Sequence, residues 1–555
     1  MNLADAPWKA VYPAGLTPDT ELDAYPVHEI VDRAAAEWGD KTAFSFRGRN
    51  TSYADLKRQV DRCAEAFAAA GLKKGERVAL YLPNTLYHPV TFFGAVKAGL
   101  TVVHLSPLDG DLVLRHKLTD SGARVIVTTN IGEMATRAAG LIGDGVIDTV
   151  IVGDDAALGV SELTGPMPSG KGVVAFDDFL AGASGLRLPE VSPDDLALLQ
   201  YTGGTTGLPK GAMLTHRNLS TSVSAYDRWF DGFDLTHPGE DRVLLFLPLF
   251  HIYALSAVML RALNNGLELI MHTRFDAETA LADIENGATS FPAVPTMWIA
   301  IAAVPDFEKR DLSSLRYCAS GGAPLPVEIA RKIKKRSGHD VLGGWGMTET
   351  SPAGTNIPIT RPDMVGTIGI PLPGIWMDVV SLDDPTRVLP AGETGELRIV
   401  GPNVTKGYWN RPDETKASFS DGGLLTGDIG HMNDEGFFTI VDRKKDMILC
   451  GGYNVYPQLI EQAIYEHPDV EEVLVIGIAD DYRGEAAKAF IKLRRGTGTL
   501  SLDALRAFLK GRLGPHEIPT ALELRDALPR TPVGKLSKLE LKQEEAERRQ
   551  AALAS

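Results

Sequence analysis

The residues from Tyr201 to His216, YTGGTTGLPKGAMLTH, are of the types that bind an anion. Glycines let several backbone N–H groups point into one concavity, and threonine hydroxyls and the charge of Lys210 add donors. The apolar residues 196–199 predict a strand that leads into this loop, an arrangement typical of phosphate sites. It is not a Walker A loop, because Lys210 precedes a glycine rather than a serine or threonine. The predicted phosphate-binding residues are Thr202, Gly203, Thr205, Thr206 and Lys210.

The segment 344–352, GWGMTETSP, has residue types that bind the rest of a nucleotide. Trp345 stands between two glycines and offers an aromatic face on which a base can stack. Thr348 offers a hydroxyl to phosphate, and Glu349 offers hard carboxylate oxygens that suit Mg²⁺. The predicted nucleotide-binding residues here are Gly344, Trp345, Gly346, Met347 and Thr348, with Glu349 as the metal ligand.

Four further positions have weaker signals when each is taken alone. Asp428, in the tripeptide TGD, is a carboxylate that can bind both hydroxyls of a ribose. The apolar run 243–251 predicts a strand that ends at His251, where a packed core histidine is the ordinary interpretation. The segment SGGAPLP at 320–326 is an ordinary turn or a glycine-lined slot that approaches a flat ring closely. Lys535 lies in LPRTPVGKLSK, where an exposed surface lysine is the ordinary interpretation.

Together, these motifs resemble the adenylate-forming superfamily, which includes acyl-CoA synthetases, non-ribosomal adenylation domains and firefly-type luciferases. The matches occur in the order of the superfamily and extend over residues from about 40 to about 545. The segments DRKKDMI, GYNVYP and GYWNRP are most similar to those of bacterial medium- and long-chain fatty-acyl-CoA synthetases. The chain departs from the superfamily at Trp345, where tyrosine is usual. Tryptophan keeps the stacking face, but the difference weakens any inference about acyl chain length.

The resemblance implies roles for residues that the chemistry alone leaves open. It places His251 beside the carboxylate and Lys535 in contact with the carboxylate and the α-phosphate. It makes Asp428 and Arg443 ribose or phosphate contacts, and Lys445 a hinge between two domains. The residues implied to line the adenine are Gly322, Ala323 and Pro324, and those implied to border a pantetheine tunnel are Gly451, Gly452 and Tyr453.

The implied reaction is the AMP-forming synthesis of an acyl-CoA from a small-molecule carboxylic acid, ATP and CoA, with Mg²⁺. A carboxylate attacks the α-phosphorus of ATP, and the thiol of CoA then displaces AMP from the acyl-adenylate. A medium- to long-chain fatty acid is the expected substrate, and a short-chain, thio-substituted, dicarboxylic or aryl acid is the alternative. The expected catalytic residues are Lys535, Glu349, Thr205 and His251.

Three other functions share this scaffold. One is an adenylation enzyme that loads a carrier protein; we read no carrier-like domain in this sequence, so we expect such an enzyme to need a separate partner. A luciferase-like oxygenase is the second, although the motifs are more similar to those of fatty-acid enzymes. A nucleotide-binding regulatory module is the third, and the presence of Lys535 and Glu349 speaks against it.

Composition excludes several classes of protein. The net charge of −16 argues against a nucleic-acid partner. The three cysteines are scattered without metal-binding spacing, which fits a reducing cytoplasm. We read no signal peptide and no run of about 18 apolar residues that would span a membrane. A peripheral membrane contact, a homodimer and a lysine acetyltransferase acting on Lys535 remain open as partners.

Alternating strand and helix patterns predict an α/β fold with wound sheets. Between about residues 364 and 440, glycines, prolines and short β patterns predict a small β subdomain. After the charged run DRKKDMI, a compact pattern predicts a small α+β domain. The predicted organisation is an N-terminal domain at 1–442 that binds AMP and the acid, a hinge at 443–446 and a mobile C-terminal domain at 447–555.

Overall fold

The computed structural model describes residues 2–183, 185–202, 208–321, 325–450, 453–480, 483–530 and 536–554. It divides into two compact units, each treated by itself below. The first comprises Met1–Met377, Ile399–Leu424 and Glu435–Phe437, and the second comprises Asp378–Arg398, Leu425–Asp434 and Phe438–Ser555. The boundary predicted at residues 443–446 stays a prediction.

The strands are β1 (Thr42–Phe46), β2 (Arg49–Ser52), β3 (Arg77–Tyr81), β4 (Thr101–Leu105), β5 (Val125–Thr129), β6 (Thr149–Gly153), β7 (Val173–Ala175), β8 (Leu196–Thr202), β9 (Lys210–Thr215), β10 (Arg242–Leu245), β11 (Glu268–Met271), β12 (Ser290–Ala293), β13 (Tyr317–Ser320), β14 (Val341–Trp345), β15 (Thr355–Asn356), β16 (Ile370–Pro371), β17 (Trp376–Val380), β18 (Gly395–Val400), β19 (Phe419–Ser420), β20 (Gly423–Met432), β21 (Phe438–Arg443), β22 (Ile448–Cys450), β23 (Tyr453–Val455), β24 (Val470–Asp480), β25 (Gly484–Leu493) and β26 (Ala521–Leu524).

The α-helices are α1 (Glu29–Trp38), α2 (Tyr53–Ala69), α3 (Tyr87–Lys97), α4 (Asp111–Ser121), α5 (Met134–Gly143), α6 (Phe176–Ala181), α7 (His216–Gly232), α8 (Arg261–Asn264), α9 (Ala277–Glu285), α10 (Pro295–Ala302), α11 (Val327–Ser337), α12 (Pro412–Ala417), α13 (Pro457–Tyr465), α14 (Leu502–Leu509) and α15 (Leu539–Ala554). A π-helix spans Tyr253–Leu260. Short 3₁₀ segments span Leu3–Asp5, Pro7–Val11, Asp155–Leu158, Phe307–Lys309, Thr348–Thr350 and Pro362–Met364.

Two large sheets form the framework of the first unit. Over the described residues, one has the order β7-β6-β5-β3-β4-β8-β9, and its pairs are parallel except for the antiparallel pair β8–β9. The other has the order β16-β15-β14-β13-β12-β10-β11-β1-β2 and is parallel from β14 to β1. The mostly parallel, wound sheets confirm the predicted α/β class.

The seven-stranded sheet is buried on both faces, as parallel sheets usually are. Along β3, Val78 and Leu80 belong to one hydrophobic core, whereas Ala79 and Tyr81 belong to another. Helix α2 begins directly after Ser52, whose hydroxyl accepts a hydrogen bond from Asp55 N at 3.1 Å and caps the helix.

The second unit contains a sheet with the order β23-β22-β25-β24, and β26 pairs with β25 in parallel. Helices α13 and α14 contribute Ile460, Ile464 and Leu505 to its hydrophobic core. A separate sheet has the order β17-β18-β20-β19, with β21 on β20, and it confirms the predicted β-rich region. No helix in the described part of the chain is long and apolar enough to cross a membrane.

Candidate active site

The predicted phosphate loop connects two strands of a hairpin. Thr202 ends β8, Lys210 begins β9, and these two residues lie opposite each other in the antiparallel register. The loop therefore begins and ends at neighbouring positions at one edge of the sheet. Its other predicted donors, Gly203, Thr205 and Thr206, lie outside the described residues.

The lysine at the end of this loop lies next to an acidic and an aromatic side chain. Lys210 Nζ forms an ion pair with Glu414 and lies 5.6 Å from the centre of the Tyr408 ring. The side chains of Lys210 and Glu414 are both about a third exposed, at 36% and 39%. The lysine is therefore accessible to an anionic ligand that would compete with Glu414.

The predicted metal ligand, Glu349, is 5% exposed and lies in the 3₁₀ turn Thr348–Thr350. Its Oε1 accepts a hydrogen bond from the hydroxyl of Tyr408 at 2.8 Å, and its backbone carbonyl accepts one from Thr405 N at 2.7 Å. Burial, and then the neighbouring Glu349 carboxylate, raise the pKa of Tyr408. Tyr408 therefore stays protonated at neutral pH and acts as a donor to the carboxylate.

The turn around Trp345 requires close approach of two backbone segments. A Cβ at Gly346 would lie 1.4 Å from the carbonyl oxygen of Pro352, so only glycine fits there. Met347 N donates to the hydroxyl of Thr350 at 3.0 Å, which closes the turn that carries Thr348 and Glu349. The predicted nucleotide-binding residues 344–349 thus lie on one tightly folded turn at the end of β14.

His251 follows a turn rather than ending a long strand. The strand predicted at 243–251 ends at Leu245, because a turn and then the π-helix Tyr253–Leu260 follow it. The half-buried His251 accepts a hydrogen bond at Nδ1 from Tyr253 N at 3.3 Å. Behind this turn, Gln200 Nε2 donates to the carbonyl oxygen of Phe250 at 2.9 Å. Strand β8 therefore anchors the segment that carries His251.

Three tyrosines near His251, namely Tyr226, Tyr253 and Tyr317, are close enough to one another for their phenols to interact. The ring of Tyr253 lies against Gly321, where a Cβ would approach it to 3.1 Å. Tyr226 and Tyr317 are half-buried, and burial raises the pKa of all three phenols. Neutral phenols are available there as hydrogen-bond donors. The predicted adenine-lining residues Gly322, Ala323 and Pro324 lie outside the described residues.

In the second unit, the two predicted ribose contacts lie together. Asp428 on β20 pairs with Arg443 on β21 in the antiparallel register, and Arg443 Nε lies 2.5 Å from Asp428 Oδ1. The Asp428 side chain is 2% exposed, whereas that of Arg443 is 49% exposed. The guanidinium therefore offers its charge to solvent while it holds the buried carboxylate.

The predicted hinge residue Lys445 follows β21 in a turn closed by Asp446 N and Met447 N, which both donate to the carbonyl oxygen of Arg443. Burial lowers the pKa of Lys445. Tyr453, a predicted CoA contact, is 61% exposed and stacks on His516 with ring centres 4.7 Å apart. The remaining predicted residues of this unit, Gly451, Gly452 and Lys535, lie outside the described residues.

The chemistry of Glu349 fits a magnesium ion, because it is a buried carboxylate whose orientation is held by a neutral donor. In the described part of the chain, no group of three or more His, Cys, Asp or Glu side chains could hold a metal ion. An ion at Glu349 would thus take most of its oxygen ligands from a nucleotide and from water, as Mg²⁺ commonly does.

The sequence interpretation missed Tyr408 and Glu414. Tyr408 belongs to the GYWNRP segment, which contributed to the resemblance but received no role. Its contact with Glu349 joins residues 59 positions apart. A tyrosine between Gly407 and Trp409 gives no local signal for such a contact, because its partner Glu349 lies on a turn that is distant in the sequence.

The matches with known proteins extend over nearly the whole chain. The family of AMP-binding enzymes matches residues 31–409, and the family of AMP-binding enzyme C-terminal domains matches residues 459–535. The long-chain-fatty-acid–CoA ligase of Bacillus subtilis is 37% identical, and the match covers 98% of each chain. The feruloyl-CoA synthase of an Amycolatopsis species is 36% identical over 90% of this chain and 95% of its own. The crystal structure of ATP-bound MatB from Rhodopseudomonas palustris is 29% identical with a TM-score of 0.82, and the match covers 93% of this chain and 98% of that one.

Proposed function

The chain belongs to the family of AMP-binding enzymes and is an AMP-forming acid–thiol ligase, and on this premise we propose which residues act and on which acid. ATP and CoA are the common substrates of such ligases. The observation that carries the assignment of residues is the contact of Tyr408 with both Glu349 and Lys210. It joins the predicted metal ligand to the lysine of the predicted phosphate loop within one unit.

In the first half-reaction, the carboxylate of the acid attacks the α-phosphorus of ATP and pyrophosphate leaves. Two anions must approach, so cations and N–H donors are needed around them. Lys210, Thr202 and the other residues of the phosphate loop would bind the phosphates, and Thr348 would add a hydroxyl. Glu349 would hold Mg²⁺, which neutralises phosphate charge when it is bound.

In the second half-reaction, the thiol of CoA attacks the acyl carbonyl and AMP leaves. We assign Lys535 to the first half-reaction, since a compact charge on a flexible stem can separate the two approaching anions. Asp428 and Arg443 would bind the ribose, and their pairing supports a joint role. The glycines at 451 and 452 would leave room for the thiol, and Lys445 would act as the hinge.

For the acid, we propose a medium- to long-chain fatty acid. Support comes from the bacterial long-chain-fatty-acid–CoA ligases that match nearly the whole chain.

A second candidate is an acid with a polar group at the end remote from the activated carboxylate, such as a dicarboxylic or hydroxyaryl acid. The observation that favours it is the three phenols of Tyr226, Tyr253 and Tyr317. Within the described residues, the hydroxyls of Tyr226 and Tyr253 have no protein hydrogen-bond partner. A plain alkyl chain would leave such donors unsatisfied, which is unfavourable.

We further propose a cytoplasmic enzyme, because the cysteines Cys63, Cys318 and Cys450 are all free and buried. We also propose that the protein forms a homodimer, that it contacts a membrane peripherally and that an acetyltransferase acetylates Lys535. Acetylation would remove the charge of Lys535 and should mimic its replacement by alanine.

The reaction type is tested on the spent nucleotide. Chromatography after incubation with ATP, a fatty acid and CoA should give AMP and pyrophosphate. ADP as the main product would contradict the proposal. Replacing Glu349 with Gln should raise the Mg²⁺ concentration needed for half-maximal activity by at least about tenfold; an unchanged requirement would remove Glu349 from the ligands.

The acid is tested by pyrophosphate release across a panel of acids, with and without CoA. The panel should contain octanoate, palmitate, a C8 dicarboxylate and a hydroxycinnamate. Highest kcat/KM for the plain fatty acids supports the first candidate, and highest kcat/KM for the oxygenated acids supports the second. Acyl transfer only to a carrier protein would replace both with a carrier-loading function.

A further inference from the structure

The segment from Thr405 to Thr415, here called the strap, lies outside every segment to which the sequence gave a role. It runs along β9, the strand that leaves the phosphate loop. Met213 N donates to the carbonyl oxygen of Gly407 at 2.9 Å, and Trp409 N donates to that of Gly211 at 2.8 Å. The strap is therefore held to the strand that begins with Lys210 by backbone hydrogen bonds.

The strap also contacts the turn that carries Glu349, and it does so twice. Thr405 N donates to the backbone carbonyl of Glu349 at 2.7 Å, which fixes the turn. Tyr408 Oη donates to Glu349 Oε1 at 2.8 Å, which fixes the carboxylate. One short segment thus connects the phosphate-loop lysine and the carboxylate expected to bind metal.

The strap holds Tyr408 firmly. Its backbone N donates to the hydroxyl of Thr415 at 2.9 Å, and that hydroxyl donates to the carbonyl oxygen of Arg411 at 2.8 Å. The Tyr408 side chain is half-buried and its ring lies beside Lys210 Nζ. The backbone at Tyr408 is therefore fixed by hydrogen bonds, and this keeps the hydroxyl in position to donate to Glu349.

We propose that Tyr408 is a positioning residue, whose hydroxyl orients the Glu349 carboxylate so that it binds the metal ion of a metal–ATP complex. This inference rests on the proposed function, because it presupposes that ATP and a divalent ion bind beside Glu349. Outer-shell partners that orient a metal ligand typically change metal affinity by about 10- to 100-fold when they are removed.

The chemistry of the pair supports an orienting contact over a merely structural one. A phenol that stays neutral donates one hydrogen bond to one carboxylate oxygen and so limits rotation of the carboxyl group. In the proposed arrangement the Tyr408 hydroxyl acts as a donor to Glu349 and is not itself a metal ligand. Its effect on the metal should therefore pass entirely through Glu349.

The test replaces Tyr408 with Phe, which removes only the hydroxyl. The matched control is Tyr53→Phe, because Tyr53 lies in the same unit, is fully buried, and its hydroxyl also donates one hydrogen bond, to the backbone carbonyl of Leu267 at 2.7 Å. Electron paramagnetic resonance of Mn²⁺ measures ion binding to each full-length protein in the presence of α,β-methylene-ATP. Binding of the nucleotide analogue alone is measured in EDTA, and Tm is measured for each variant.

We expect Y408F to weaken Mn²⁺ binding by about 10-fold or more, with nucleotide binding in EDTA unchanged. Y53F should bind Mn²⁺ as the wild type does, with a loss of Tm at least as large as that of Y408F. In an E349Q background, Y408F should have no further effect on Mn²⁺ affinity, because the hydroxyl of Tyr408 acts on the metal only through the Glu349 carboxylate.

Four results would overturn the inference. Wild-type affinity for Mn²⁺ in Y408F would show that the hydroxyl does not position Glu349. An equal loss in Y53F would show a general structural effect, and so would an additive loss in the double variant. If the wild type binds neither the analogue nor Mn²⁺, the proposed function falls together with this inference, whereas the other three results would leave the proposed function intact.

Discussion

Two predicted site carboxylates, Glu349 in the first unit and Asp428 in the second, are held by different kinds of contact. In the first unit, Glu349 is held by a neutral phenol and by a backbone amide. In the second unit, ion pairs hold the corresponding residues, as in Asp428–Arg443 at 2.5 Å and Asp446–Lys542 at 2.7 Å. A neutral donor holds the Glu349 carboxylate in one orientation, whereas the cations of the two ion pairs, Arg443 and Lys542, are 49% and 36% exposed and can be reached by another anion.

This difference suggests different tasks. A site that binds metal and phosphate needs fixed donors before the ligands arrive. A segment that serves two half-reactions needs contacts that can be exchanged. We infer that Lys535 and Lys445 of the second unit affect the two half-reactions unequally.

The largest effect is expected for Lys535→Ala. Pyrophosphate release should fall by about 10²–10³-fold or more, because a preorganised cation is lost between two approaching anions. Conversion of supplied acyl-adenylate and CoA to thioester should continue, since that repulsion no longer exists. The control is Lys510→Ala, which removes an exposed lysine of the same unit. If the rates of both half-reactions fall equally, the inferred role of Lys535 in the first half-reaction alone is wrong.

Lys445→Pro should give the opposite pattern. Proline fixes its own φ and restricts Lys444, so the turn closed by Asp446 N would lose conformational freedom. We expect adenylation to survive and thioester formation to fall at least about tenfold. Lys445→Ala, which keeps the backbone free, should retain both activities. Equal losses in the proline variant would point to a folding defect or to a hinge elsewhere.

Asp428→Asn should act mainly on ATP. Loss of a charged acceptor for the ribose should raise the KM for ATP by about tenfold or more. The matched control is Glu396→Gln, since Glu396 is equally buried and pairs with Lys444 at 2.7 Å. If Glu396→Gln raises the KM for ATP as much, the increase comes from a disturbed sheet and not from the loss of a ribose contact.

The smallest effect on activity is expected from a histidine of the first unit, where stability should change instead. Burial, and then His28, lower the pKa of His216 to about 3, so the folded protein keeps it neutral where the unfolded chain protonates it. Its contribution to stability is present above pH 6.5 and is lost as the pH falls from 6.5 towards 3. At pH 5 the loss is about 2 kcal/mol for this group.

His216→Asn tests this contribution. Asparagine can still accept the hydrogen bond that Val27 N donates to His216 Nδ1 at 3.1 Å, but it does not titrate. The decrease in Tm between pH 7 and pH 5 should be smaller in the variant than in the wild type. An identical decrease would show that His216 does not contribute, and the kinetics at pH 7.5 should be unchanged in either case.

Local sequence patterns alone determined the family, the α/β class and the type of reaction, and all three are confirmed. Such patterns suffice because a Gly/Thr loop, a short motif such as GWGMTET or an N-cap such as Ser52 is built from neighbouring residues. The roles of individual residues remain predictions, and those of Thr205, Gly322 and Lys535 lie outside the described residues.

Only the tertiary structure decided which distant side chains meet. Nothing local could reveal that β9 returns antiparallel to β8, that Tyr408 donates to Glu349, or that Asp428 lies opposite Arg443. Sheet register and turn geometry set these pairs, and hydrogen bonds and ion pairs weaken steeply with small changes in distance and angle. The sequence therefore identified the chemical groups of the site, and the packing of strand ends and the strap selected their partners.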